Sequence, residues 1–186
     1  MPYDDIVLEA EEKMEKAVEV VATEFKGVRT GRATPALVEG VKVDYYGAPT
    51  PLKSLASITV PEPRLLMVKP FDPGALDGII KAIQKADLGL NPQSDGKIVR
   101  VVVPPLSEER RKQMSKLVKE LGEKSKLAIR NVRREANSVA DSEEKDKDMS
   151  EDDKKRTKEE IDRLTKEYEA KVQDLVDKKT KEVMEV

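Results

Sequence analysis

Between positions 112 and 137 one type of side chain keeps returning at helical spacing. Lys112, Lys116, Lys119, Lys126, Arg130 and Arg133 recur there, with Arg134 beside them, Glu123 as the acidic interruption and Asn137 continuing the row. At roughly 100° per residue these positions share one face of a helix. A row of ammonium and guanidinium groups makes no covalent bonds; it binds anions. The guanidinium fork meets a phosphate with two parallel hydrogen bonds and stacks on bases. The cluster Arg130, Asn131, Arg133 and Arg134 is therefore the most phosphate-competent stretch. Lys112, Lys116 and Lys119 read equally well as an ordinary solvated helix face. Few acidic residues stand near the cluster in sequence, Glu135 being adjacent. Aromatics are 3% of the chain, too few for platforms that stack single-stranded bases, so contact with phosphates and with the shape of folded RNA is the better expectation.

Other chemistries find less support. The chain has no histidine and no cysteine. Thiolate nucleophiles, disulfides, thiolate or imidazole metal ligands and the commonest general acid–base side chain are thereby excluded. Gly89 to Lys97 ends in Gly-Lys but lacks the spacing and the following Ser/Thr of a phosphate loop. The acidic run from Asp141 to Asp153 lacks the fixed ligand spacing and turn glycine of a calcium loop and reads as an exposed connector. Tyr45-Tyr46 reads as strand residues packing a small domain. No convergent acid–base or nucleophile set is visible. The expectation is a binding protein and not an enzyme, with no cofactor, metal or small-molecule substrate.

The row must be carried by elements that fix its orientation. From Ile6 to Val28, Ala10, Met14, Ala17 with Val18, Val21, Phe25 and Val28 form an apolar seam, ended by Gly27, Gly31 and Pro35. Alternation at Val41, Val43 and Tyr45 predicts a strand, followed by a turn at Gly47-Ala48-Pro49. Leu55–Val60, Arg64–Lys69 and Lys97–Val103 read as further strands. Asp72-Pro73 starts a helix with Leu76, Ile79, Ile80 and Ile83 on one face. Residues 89–96 read as loop. Ser107 caps the helix that bears the cations, with Glu108 and Glu109 in its first turn. Its seam is Met114, Leu117 with Val118, Leu121, Ser125, Ala128, Val132 and Val139, opposite the cations. Gly122 lies inside it at a cost of about 1 kcal/mol relative to alanine. Ser150-Glu151-Asp152-Asp153 resembles a capping box that starts a last helix, with Ile161, Leu164, Tyr168, Val172, Leu175, Val176 and Val183 as seam.

Three amphipathic helices without cores of their own pack together most simply, as an antiparallel three-helix bundle. The predicted fold class is α+β with two domains: a discontinuous bundle of residues 1–30 and 106–186, and an inserted small α/β domain of residues 31–105. The two crossings, Arg29-Thr30-Gly31-Arg32 and Pro104-Pro105-Leu106, form a candidate hinge.

Composition sets the outer limits. Charged residues are 39% of the chain, which suits long helices with narrow seams. The net charge of −2 conceals a dipole: about ten basic against four acidic residues from Ser107 to Arg134, and about eight acidic against two basic from Asp141 to Asp153. The acidic start, Met1-Pro2-Tyr3-Asp4-Asp5, lacks the apolar core of a signal peptide, and no run approaches the roughly 18 to 20 apolar residues of a spanning helix. A soluble cytoplasmic protein without a membrane partner is expected. On composition alone, a helical-bundle adaptor binding other proteins through charged faces is the competing reading.

Several motifs together resemble the bacterial ribosome recycling factors. They are Arg29-Thr30-Gly31-Arg32-Ala33, Val43-Asp44-Tyr45-Tyr46-Gly47 with Pro49-Thr50-Pro51-Leu52, and Ala86-Asp87-Leu88-Gly89-Leu90-Asn91-Pro92. Further along stand Pro104-Pro105-Leu106-Ser107-Glu108-Glu109-Arg110-Arg111-Lys112, Ala128-Ile129-Arg130-Asn131-Val132-Arg133-Arg134 and Ser150-Glu151-Asp152-Asp153. The resemblance covers nearly the whole chain. It implies an L-shaped monomer, a three-helix bundle with a small α/β domain on a flexible hinge. It also implies a role after termination: with elongation factor G and that partner's GTP hydrolysis, the ribosome is split into subunits. The bundle then contacts large-subunit rRNA near the peptidyl-transferase region and an intersubunit bridge, and the hinged domain faces elongation factor G and the small subunit. By motif position Arg110, Arg130 and Arg133 are the rRNA-contacting arginines that the resemblance implies; Lys126, Asn131 and Arg134 join them by geometry and adjacency.

Overall fold

The computed structural model describes residues 3–185; Met1 and Pro2 of the acidic start, and Val186, fall outside them. In chain order the elements are α1 (Tyr3–Lys26), α2 (Ala36–Glu39), β1 (Lys42–Tyr45), β2 (Ala48–Pro51), α3 (Leu52–Leu55), β3 (Ala56–Glu62), β4 (Leu65–Pro70), a 3-10 turn (Pro73–Ala75), α4 (Leu76–Lys85), β5 (Asn91–Ser94), β6 (Val99–Val102), α5 (Glu108–Lys145) and α6 (Glu151–Met184). The fold class is α+β. Packing separates the chain into two units, one of residues up to Val28 with Lys112–Glu185, the other Arg29–Arg111. The second boundary falls just inside α5, a few residues beyond Pro104-Pro105.

In the helical unit each long helix starts where its sequence permits. The Ser107 side chain accepts from the Arg110 N–H at 3.3 Å at the start of α5. Ser150 accepts from the Asp153 N–H at 3.1 Å and donates its hydroxyl to Asp153 Oδ2 at 2.7 Å, a reciprocal cap that starts α6. Between the two helices lies a turn in which Lys147 takes φ 62°. Ile6, Ala10, Met14, Val21 and Phe25 of α1 share one core with Val118, Ile129, Ala136 and Ala140 of α5 and with Ile161, Leu164, Tyr168, Val172, Val176 and Val183 of α6. Side-chain pairs fix the directions. Lys13 meets Glu135 while Glu24 meets Lys124, so α1 runs antiparallel to α5. Glu144 meets Lys154 while Arg130 meets Glu169, so α6 does too.

The α5 seam differs from the expected one. Ile129 and Ala140 are fully buried and Ala136 is buried, whereas Leu117 is 38% exposed and Ala128 faces solvent. The true seam runs Val118, Gly122, Ser125, Ile129, Val132, Ala136 and Ala140. Val118, Ser125 and Val132 stand where expected; Gly122, Ile129, Ala136 and Ala140 take the places given to Leu117 and Ala128, because a glycine and two alanines carry little apolar signal. Ser125 donates its hydroxyl to the Ala17 carbonyl at 3.1 Å, so a hydroxyl serves the core by bonding across to α1. Gly122 is more than a tolerated residue: a Cβ there would stand 2.4 Å from Val176 Cγ2. Glycine is what lets α6 come this close.

The other unit has a two-stranded sheet, β1 with β2, and a four-stranded antiparallel sheet in the order β3-β4-β6-β5. Leu66, Val68, Val99 and Val101 point from its centre into a core with Val43, Leu52, Ile79 and Ile83. Two expectations are corrected. The hairpin turn is Tyr46-Gly47, both at positive φ, and residues 48–51 form a strand and not a turn. Asn91–Ser94 is also a strand, within the stretch expected to be loop. It pairs along β6 from Asn91↔Val102 to Ser94↔Val99, because sheet pairing can satisfy a polar backbone that carries no strand propensity. The expected helix start at Asp72 holds, with its carboxylate accepting from the Gly74 N–H at 2.9 Å and from the Tyr45 hydroxyl at 2.8 Å. These two bonds hold its carboxyl below the usual carboxylate range.

Gly122→Ala separates helix propensity from packing. Propensity alone would stabilise by about 1 kcal/mol, whereas forcing a methyl against a stiff valine costs about 1–3 kcal/mol. A net loss in urea-unfolding stability is expected; a gain would show that α5 and α6 are not held this close.

Candidate nucleic-acid interface

The cation row of α5 does not lie opposite the seam. Taking about 100° per residue, Lys126, Arg130 and Arg133 stand roughly 60–120° round from its centre, on the flank that borders α6. A helix packed on two neighbours buries a wide stripe, and side chains at its margin lie within reach of the next helix. Each margin cation therefore meets a partner. Lys126 is 15% exposed and donates to Gln173 at 2.5 Å and to Glu123 at 3.2 Å. Arg130 donates through Nε to Glu169 Oε1 at 2.7 Å and stays 45% exposed. Arg133 Nη1 stands 3.9 Å from Asp162 Oδ1, with its side chain 41% exposed. Arg134 donates to the Asn131 side-chain oxygen.

The expectation that few acidic partners stand near the cluster is thus overturned. The carboxylates come from α6, distant in sequence, while the adjacent Glu135 turns the other way and pairs with Lys13 of α1. Farther along α5 the acidic run is covered by cations of α6. Lys158 bonds Asp141 at 2.6 Å, which holds that carboxyl below its ordinary range, and Lys154 pairs with Glu144 at 3.2 Å. The run is helix as far as Lys145.

Lys126, Arg130, Asn131, Arg133 and Arg134 come together on two turns of α5. Arg130, Asn131 and Arg134 are exposed, and Arg133 and Lys126 are partly so. Arg110 is not brought into that cluster; it lies exposed in the first turn of α5, in the other unit. Lys112, Lys116 and Lys119 are exposed, whereas Asn137 is half-buried and ends the row. Asp162, Glu169 and Gln173 were not among the expected site residues. Their spacing of seven and four, set antiparallel to 126, 130 and 133, was the available signal once a tight turn joins α5 to α6.

The crossing residues have their own geometry. Gly31 takes φ 79° and its Cα packs on Leu106, where a Cβ would lie 3.4 Å from the backbone nitrogen. Arg29 donates to the Leu88 carbonyl, fastening the Asp87–Leu90 loop, and Thr30 Oγ1 accepts from the Arg32 N–H at 3.3 Å. The Ala33 N–H donates to the Pro63 carbonyl and the Val103 N–H to the Arg64 carbonyl, both at 2.8 Å. The outgoing and returning chains are thus pinned to successive carbonyls of the β3–β4 turn. Pro104 and Pro105, having no N–H, add no such bond.

Comparison with known proteins finds similarity along nearly the whole chain. The family model described as ribosome recycling factor matches residues 21–184. The ribosome-recycling factor of Oleidesulfovibrio alaskensis is 50% identical over 183 residues, covering 98% of this chain and all of that protein. That of Nitratidesulfovibrio vulgaris is 47% identical over 186 residues, covering both chains completely. A solution structure of the ribosome recycling factor matches with TM-score 0.78 at 42% identity, covering 100% of this chain and 99% of that one. A second structure, of the T. thermophilus ribosome recycling factor and E. coli elongation factor G bound to the E. coli post-termination complex, matches over both full chains with TM-score 0.68 at 42% identity. The chain belongs to the ribosome recycling factor family.

Proposed function

We propose that this protein binds the post-termination ribosome and, together with elongation factor G and the GTP hydrolysis of that partner, splits it into subunits for a new round of translation. The family match over residues 21–184 and the relative aligned over the whole chain support the role, and the exposed arginines of the α5 cluster support the manner of binding. The cluster is the single observation that carries the mechanism: Arg130, Arg133 and Arg134, with Lys126 and Asn131, face phosphates of large-subunit rRNA, and Arg110 adds a contact from the first turn of the same helix. The chain is not itself an enzyme; it contributes no general base or nucleophile, and hydrolysis belongs to the partner. It works as a cytoplasmic monomer. Among the described residues no helix is long and apolar enough to cross a membrane.

The physical division of labour follows from stiffness. Three packed helices of 24, 38 and 34 residues bend little, so a force applied to one end reaches the RNA-bound face. Motion is confined to residues 29–32 and 104–106, because the pairs Ala33–Pro63 and Val103–Arg64 tie down the chain immediately inside them. Arg29, Thr30, Gly31, Arg32, Pro104 and Pro105 form the hinge. Work done by elongation factor G on the smaller domain is directed there against the bridge between subunits.

Two outcomes test this. Arg133→Ala should weaken co-sedimentation with large ribosomal subunits roughly tenfold or more, since a hydrogen bond to a charged group is worth about 1.5–3 kcal/mol. The slope of log affinity against log salt should fall by about one, while the melting temperature holds because the side chain is exposed and its Asp162 pair is long. Salt-insensitive binding would argue for protein–protein docking. Separately, a disulfide engineered across the two crossings can be switched cleanly, because the chain has no native cysteine. The oxidised form should bind ribosomes and fail to split them, and reduction should restore splitting; splitting by the oxidised form rules out the hinge.

A further inference from the structure

Arg130 and Arg133 of the α5 cluster are held on one side and open on the other, whereas Lys126 is largely covered. Arg130 commits its Nε to Glu169, yet its side chain is 45% exposed. Lys126 is anchored by Gln173, whose own amide nitrogen donates to Asp177 at 2.8 Å. Arg133 has Asp162 beside it through one terminal nitrogen. A guanidinium offers five N–H donors, so a bond through Nε leaves the terminal amino groups for a second anion. Residues 162, 169 and 173 lie on one face of α6, and the antiparallel register sets each beside one cation of α5.

We infer that Glu169, with Asp162 and Gln173, is a positioning residue: the α6 row holds the cations of α5 in the rotamers that meet rRNA phosphates. This rests on the rRNA-anchoring reading given above. Two physical effects of a carboxylate at this position oppose one another. Its negative charge repels RNA and lowers affinity. Its hydrogen bond fixes a long, rotamer-rich side chain before binding, which removes an ordering cost from the association step. A partly exposed ion pair contributes little to folding stability, so a modest stability gain does not by itself account for a carboxylate beside an RNA-binding arginine.

Replacing the charge and the acceptor separately distinguishes these effects. Glu169→Gln keeps an acceptor oxygen for Arg130 Nε and removes the negative charge; it should bind large subunits at least as tightly as wild type. Glu169→Ala removes both; it should bind about three- to tenfold more weakly than the glutamine variant, the loss expected when one side chain must be ordered on binding. In an Arg130→Ala background the difference between the two should vanish, which a general structural role of Glu169 would not produce. Equal affinity of the glutamine and alanine variants, or a difference that survives without Arg130, overturns the positioning role. If Arg130→Ala itself binds as wild type does, the anchoring reading fails instead, and the two failures are distinguishable. Thermal melting of each variant accompanies the binding series.

Discussion

At position 122 the side chain of Val176 occupies the place where any other residue of α5 would carry a Cβ. Close approach at that point fixes how α6 lies along α5, and the pairings on either side follow from it: Lys126 with Gln173, Arg130 with Glu169, Asp141 with Lys158, Glu144 with Lys154. Each of these polar contacts is partly solvated and individually weak. Burial of Val118, Ile129, Ile161, Leu164 and Val172 supplies the stability, and the polar rows inherit their register from that packing.

Charge along α5 and α6 is complementary between Arg130 and Glu144, where Arg130, Arg133, Asp141 and Glu144 each meet an opposite charge of α6. The cation-rich part of α5 lies against the acidic middle of α6, and the acidic end of α5 lies against the lysines that open α6. A near-neutral chain thereby presents local charge without long unpaired runs. The proposed phosphate binding would draw on what remains after these internal pairs: the donor groups that Arg130 and Arg133 leave exposed. The smaller domain contributes a different property. Its outgoing and returning chains are tied to neighbouring carbonyls at Pro63 and Arg64.

Much of this was legible in the residues. Capping signals at Ser107 and Ser150, the apolar periodicities of α1 and α6, the alternation around Val43 and the helix start at Asp72 all reflect local rules, and the elements form where those rules place them. What could not be read depended on partners distant in sequence. Asn91–Ser94 becomes a strand because β6 offers it hydrogen bonds. Gly122 occupies the seam because Val176 comes so close to it, and Ile129 displaces Ala128 from it. With the seam displaced toward Ile129, the cations moved from the far face to the flank beside α6, and only then did Glu169 and Asp162 come within reach of them. The arginines of the candidate interface were visible as a pattern, and the residues that hold them were not.

In the proposed mechanism the α5 cations anchor the protein to rRNA and the work of splitting is done elsewhere. Subunit release from post-termination ribosomes, followed by light scattering with elongation factor G and GTP, tests it when the concentration of an Arg130→Ala/Arg133→Ala double variant is raised. An anchor defect lowers occupancy alone, so splitting should be slow at low concentration and approach the wild-type rate at saturation. A maximal rate that stays depressed however much protein is added would rule out a pure anchor, because the arginines would then act in the splitting step and not in binding.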